Sequence, residues 1–370
     1  MTRNDSAVGA AGGGPALRLV SVRRRYGVAL VAALLAVPVS VLGGWGLLRM
    51  LSATHRVADG ISYHFGTAAI GVGFGVTVAA GVLGAALTVQ RAARMSVRDS
   101  LLEASTGNPK MSRKRVVAGW IFLAIGLDCG VLAATVFKGK SLTMTQSISG
   151  EAAIWTAIGL AVLSPALIRV VTAALAGPMQ KLGGVSGYLS VLNVRQRTQQ
   201  LAGALTPIIL LTDLASGTLY MQSIDNSILA ASGGQASSDD KGVETLNYVV
   251  VGMICVFAAV MLINSLVAAT VYRRREFGQQ RLVGSTPPQV LRMAGIERLA
   301  LIVTGLLFGS FAGLVGVIPY SIARTGSVLP DSTIGIYLGI VGTVVVLTLA
   351  SSVGAARRTI RTPAIEAVAA

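Results

Sequence analysis

In this chain of 370 residues 53% are apolar and only 12% charged, with a mean hydropathy of +0.70. A soluble domain carries about a quarter of its residues as charges, so this balance excludes that class. The formal net charge of +16 would suit a nucleic-acid binder, but the basic residues fall in short blocks between apolar runs, which excludes that too. Cys129 and Cys255 lie inside apolar runs and read as buried small residues, not as a disulfide or zinc framework. His55 and His64, the only histidines, are too few for a metal centre.

Residues 1–17, rich in Ala and Gly, read as a disordered cytoplasmic tail. Arg23-Arg24-Arg25 ahead of an apolar stretch imitates an export signal. The stretch is long, lacks a convincing small-x-small cleavage site and is followed by further spans, so it reads as a retained first helix. A bilayer-crossing helix needs about 20 apolar residues. Eight runs qualify: 27–48, 67–89, 116–137, 152–176, 201–221, 246–271, 299–320 and 334–355. The fifth is the weakest, because it contains Thr206, Pro207, Thr212, Asp213 and Ser216. The expected fold is an all-α polytopic membrane protein with about eight transmembrane helices.

The loops orient these spans. Segments 1–26, 90–115, 177–200, 272–298 and 356–370 together hold 24 Lys and Arg, whereas the alternate segments hold five: Arg56, Lys138, Lys140, Lys241 and Arg324. Positive residues stay inside, so both termini are expected in the cytoplasm. Arg49 sits at a helix end, and Arg169, within a helix, is expected to snorkel to the inner interface.

An internal repeat appears at an offset of 263 residues. Arg94 through Ala104 aligns without gaps on Arg357 through Ala367, and the same offset lays 27–48 on 290–311 and 67–89 on 330–352. The second copy has two further helices upstream, so the pattern reads as one and a half repeats.

The richest stretch runs from Tyr272 to Met293. Helix 246–271 is expected to continue into the cytoplasm through Arg273, Arg274 and Arg275, read as interface anchors. Gly284 suits a helix C-terminus that needs φ > 0. Thr286 reads as an N-cap, with Pro287 at the first helical position and Gln289 closing a capping box. The expected product is helix, sharp turn, helix, projecting below the membrane.

This stretch resembles the FtsX-like, MacB-type permeases of ABC transporters. The resemblance rests on the basic triplet, Glu276, Arg281-Leu282-Val283-Gly284-Ser285-Thr286, Gln289-Val290, the early Glu297, Asn264, and the ending Arg357-Arg358 through Pro363-Ala364-Ile365-Glu366-Ala367. It is close over 246–367 and weaker over 18–104. It implies a membrane subunit that pairs with a separate cytoplasmic ABC ATPase and with a second permease chain, as a homo- or heterodimer in the plasma (inner) membrane. Its substrates would be hydrophobic or amphipathic: lipids, lipoproteins or peptides. A non-transporting mechanotransmitter or sensor, and a truncated inactive paralogue, are the alternatives. The implied layout is a partial first FtsX-like repeat at 18–104, a linker and two-helix hairpin at 105–176, a cytoplasmic connector at 177–200 and a second repeat at 201–370. The front of the first repeat, two helices, is expected from another chain or from upstream sequence. The outer segment before residue 246 is too short for the folded outer domain of many relatives.

The coupling turn is expected to comprise Glu276, Arg281, Gly284, Ser285, Thr286, Gln289 and Arg292. Asp128, Asp213 and Asn264 are candidates for an intramembrane cavity, since a carboxylate near mid-span costs roughly 2.5–3.5 kcal/mol on insertion scales and rarely faces lipid. A proton-driven secondary transporter through Asp128 and Asp213 is the rival reading. Gly139-Lys140-Ser141 is a P-loop fragment without its leading glycine, because Ala134 stands there. Gly71-x₃-Gly75 and Gly305-x₃-Gly309-x₃-Gly313 read as close helix packing in lipid. No catalytic set, cofactor site or metal site is assembled, and no nucleic-acid partner is expected. Any ATP hydrolysis would belong to the partner subunit.

Overall fold

The computed structural model describes residues 34–49, 52, 66–94, 111–231, 238–271, 273–328 and 334–360. The tail 1–17, both histidines and the closing signature from Arg361 to Ala367 lie outside the described residues. The described chain is helical: α1 (Leu34–Arg49), α2 (Thr67–Arg94), α3 (Arg113–Thr135), α4 (Leu142–Gln196), α5 (Thr198–Ala231), α6 (Ser238–Val271), α7 (Arg274–Leu282), α8 (Pro287–Thr325) and α9 (Ile334–Ile360). Six helices are long and apolar enough to cross a membrane: α3, α4, α5, α6, α8 and α9. The two earlier apolar stretches, Leu34–Arg49 and Ile70–Gly84, are shorter, so the expected count of eight becomes six among the described residues.

The chain divides into two compact units, one of residues 1–105 and 237–243, the other of 106–236 and 244–370. In the first, α1 and α2 are largely exposed, and the Arg49 guanidinium lies 3.8 Å over the Trp45 ring. Gly71 and Gly75 have no neighbour within 4 Å of the position a Cβ would take, so the close packing expected there has no counterpart among the described residues.

In the second unit, α5 and α8 form the centre. The glycines expected to mark close packing do so on α8. A Cβ on Gly305 would come within 2.2 Å of Ile208, one on Gly309 within 2.6 Å of Thr212, and one on Gly313 within 2.3 Å of Ser216. Helix α5, weakest of the spans by sequence, is the most buried of the six. Its polar residues explain both facts: Thr212, Asp213 and Ser216 are buried against neighbouring helices. Helix α3 packs on α4 in the same small-residue manner, with Gly126 facing Thr156 and Ala152. Helix α6 meets the core through Ala258, Leu262 and Leu266, and α9 buries one stripe, Ile340, Val344, Thr348, Ser352 and Ala356. Both stripes step by four residues, the repeat of a single helix face.

Two features depart from the sequence reading. Helix α6 does not run on through the arginines: it ends at Val271, Arg273 sits in a turn at φ −90° and ψ 4°, and α7 begins afresh at Arg274. Segment 177–200, read only as a connector, is helical and turns back on itself at Gly184, where φ is 55° and ψ −135°. A Cβ on Gly187 would lie 2.0 Å from the Met179 carbonyl oxygen, and Arg169 Nε donates to Thr198 Oγ1 at 3.3 Å. Those residues flank Gly184, so the two arms lie side by side. Arg169, expected to snorkel, is exposed and donates to Thr198.

Candidate functional site: a braced turn between two helices

The site is built around the α7–α8 turn. Helix α7 closes with Gly284 at φ 105°, a left-handed conformation that side chains other than glycine adopt at a cost. The Gly284 N–H donates to the Arg281 carbonyl at 3.1 Å and the Ser285 N–H to the Gln280 carbonyl at 3.0 Å. This is the paired Schellman arrangement, which satisfies carbonyls that a helix end leaves open. Helix α8 then opens with Thr286 at its N-cap and Pro287 and Pro288 in its first turn. Gln289 Oε1 accepts from the Thr286 N–H at 2.9 Å, as the capping-box reading expects.

Beneath the turn, Phe277 of α7 packs on Val290, Met293 and Ala294 of α8. Behind that contact lies a polar network. Arg273 is 6% exposed and ion-paired with Glu297, its Nη2 donating to Glu297 Oε1 at 3.1 Å. Its Nε donates to Glu276 Oε2 at 3.1 Å, and its guanidinium carbon lies 4.9 Å from the Phe277 ring centre. Burial pulls the Arg273 pKa down, but the Glu297 and Glu276 carboxylates more than reverse this and hold it above its ordinary value. Glu276 also pairs with Arg197, at the junction of α4 and α5. Asn193 Nδ2 donates to Glu297 Oε1 at 3.0 Å, and Ser190 Oγ donates to the Met293 carbonyl at 3.0 Å. Arg292 Nη2 donates to the Leu182 carbonyl at 2.8 Å. The second arm of the Gly184 hairpin, α7 and the start of α8 are thereby tied into one block.

The expected coupling residues Glu276, Arg281, Gly284, Ser285, Thr286, Gln289 and Arg292 all fall on α7, its turn or the first two turns of α8. Glu276 faces inward to its pairs, whereas Gly284, Thr286, Gln289 and Arg292 are exposed. Leu282 and Val283 are 56% and 90% exposed beside them, an apolar tip on a charged stem. The residues that sequence reasoning missed are Arg197, Asn193, Ser190 and the bracing role of Arg273. One signal was available. Arg273 and Glu297 stand 24 positions apart with Ser285 midway, so a tight turn at Gly284–Thr286 must bring them level. For Asn193 and Arg197 no such local signal exists.

The intramembrane candidates are not alike. Asp213 is wholly buried, and neither carboxylate oxygen has a hydrogen-bond partner among the described residues. Asp128 on α3 and Asn264 on α6 are exposed. Among the described residues no group of three or more His, Cys, Asp or Glu side chains could hold a metal ion.

Comparison with curated proteins gives no match, and comparison with solved structures gives none. A family model does match. Residues 248–364, which span most of α6, all of α7, the braced turn, α8 and α9, fit the model described as FtsX-like permease C-terminal. Residues 248–364 are thus similar to the C-terminal domain of FtsX-like permeases, and the described residues hold six helices long and apolar enough to cross a membrane.

Proposed function

We propose that this chain is the membrane subunit of an ABC transporter in the plasma membrane, and that it passes the motion of a separate cytoplasmic ATPase to the export or extraction of a hydrophobic or amphipathic substrate. The observation that carries the reading is the α7–α8 turn. A moving partner needs a rigid handle, and this one is capped at both helix ends and ion-paired at its base. It presents Leu282 and Val283 to its surroundings. Exposed apolar side chains rimmed by polar ones suit a protein contact. The 24-to-5 distribution of basic residues supports a cytoplasmic position for the turn and for both termini. The permease would work as one of a pair of permease chains.

The test is co-expression with candidate ABC ATPases, purification by a tag on this chain, and measurement of ATPase retention and substrate-stimulated hydrolysis. Retention that Gly284→Val and Glu276→Lys both weaken, with insertion of this chain intact, is the expected result. Wild-type retention and stimulation in both variants would remove the turn from the coupling role and make the connector 177–200 the next segment to test.

A further inference from the structure

Asp213 lies near the middle of α5, in a run of apolar residues, and none of its surface is exposed. Residues around it close the seam between α5 and α8: Thr212 meets Gly309 and Ser216 meets Gly313, and the Asp213 carbonyl lies 3.6 Å from the place a Gly313 Cβ would take. A seam built on glycines brings two helix backbones together and leaves no room for the hydration shell of a charge. No N–H or O–H group among the described residues donates to either carboxylate oxygen.

The ionisable groups on the surrounding helices lie at other depths or are uncharged. On α8, Glu297 and Arg298 stand at least eleven residues before Gly309, about 16 Å toward the start of the helix, and Tyr320 and Arg324 stand at least seven residues after Gly313, about 10 Å toward its end. On α4, Glu151 and Arg169 are exposed. Helix α9 brings Tyr337, whose hydroxyl is bonded to Ser310, and α6 brings the Cys255 thiol to the edge of the same core. On α5 itself Tyr220 and Asp225 are at least seven residues away, and Asp225 is held by Tyr320 and Arg324. An ionised Asp213 would be a bare charge with neither donor nor cation beside it among the described residues. The neutral acid escapes the cost of a buried charge, so the carboxyl group keeps its proton.

We infer that Asp213 is a proton-binding site of the closed α5–α8 seam: its side chain is a neutral carboxylic acid while the helices are packed, and it releases the proton when they part and water reaches it. Closing the seam takes up a proton and opening it gives one back, so the two equilibria are linked. Asp128, exposed on α3, has no part in this site, which separates it from a proton path through both carboxylates. The inference rests on the packing of α5 and does not depend on the proposed ATPase partner.

The test is infrared spectroscopy of the full-length chain, purified in a mild detergent at neutral pH. The C=O stretch of a carboxylic acid separates from the carboxylate and amide bands. The expected spectrum has an acid band that Asp213→Asn removes and that Asp128→Asn and Asp225→Asn leave in place. The rate at which the band shifts in heavy water reports opening of the seam. Gly309→Ala, which puts a Cβ 2.6 Å from Thr212, should speed that shift roughly tenfold. Gly339→Ala, with nothing within 4 Å, should leave it unchanged. A wild-type spectrum without an acid band overturns the proposal, and this measurement stands even if a variant fails to fold. A band that survives Asp213→Asn assigns the proton to another carboxyl group and overturns it too. Equal rates in the wild-type chain and a folded Gly309→Ala variant would overturn the link between the proton and the seam.

Discussion

Arg273 shows how much one side chain can carry here. It was read as one of three interface anchors, because a basic triplet after an apolar run satisfies the positive-inside rule without further cause. In the structure it is the buried partner of Glu297 and also holds Glu276. Removing one member of a buried pair strands the other charge and costs about 3–5 kcal/mol. Arg273→Ala and Glu297→Ala should each lower the thermal midpoint of the purified chain clearly. The double variant should be less destabilised than the sum of the two, and additivity would argue against a direct pair. Arg197→Ala breaks a more exposed pair with Glu276 and should cost about 1 kcal/mol or less by the same measurement. Gly284→Ala places a Cβ at φ 105° and should cost roughly 1–2 kcal/mol, although nothing lies within 4 Å of that Cβ. The penalty is thus one of backbone conformation, and a bulkier neighbour at Val283 should not alter it.

At the scale of elements, the helix contacts depend on residues without side chains. Gly309 meets Thr212 and the Ile209 carbonyl so closely that Gly309→Leu should separate α8 from α5 and abolish folded protein, as read by size-exclusion profile after extraction. Gly339→Ala on α9, with nothing within 4 Å, should leave that profile unchanged. The carboxylates divide in the same way. Asp128→Leu, on the exposed face of α3, should preserve folded protein, whereas Asp213→Lys, in the wholly buried site on α5, should not. Equal yields of both variants would contradict the burial that separates them. The turn at Gly284–Gln289 was legible because capping chemistry is local: a glycine, an N-cap threonine, a proline and a glutamine specify it within six residues. The end of α6 at Val271 was not legible. The arginines that follow favour a helix as readily as a turn, so nothing local in the sequence marks the turn at Arg273.

For the whole molecule, the apolar runs and the basic loops together predict topology. Reporter fusions after residues 190 and 285 should report the cytoplasm, and fusions after 145, 235 and 327 the outside. Same-side reporting at 190 and 235 would mean that α5 does not cross. The sequence by itself determined the membrane class, the position of the long apolar helices and the turn chemistry. Each of these follows from short-range rules: a backbone in lipid must satisfy its own hydrogen bonds, and caps act within one helix turn. Tertiary structure alone decided which face of α5 looks inward, that its polar residues Thr212, Asp213 and Ser216 are buried in a central helix, and that the Gly184 hairpin carries Asn193 and Arg197 to the base of the α7–α8 turn. Those residues lie about 80 to 100 positions from Glu276 and Glu297, and only the close packing of α4, α5 and α8 brings such distant charges within reach of one another.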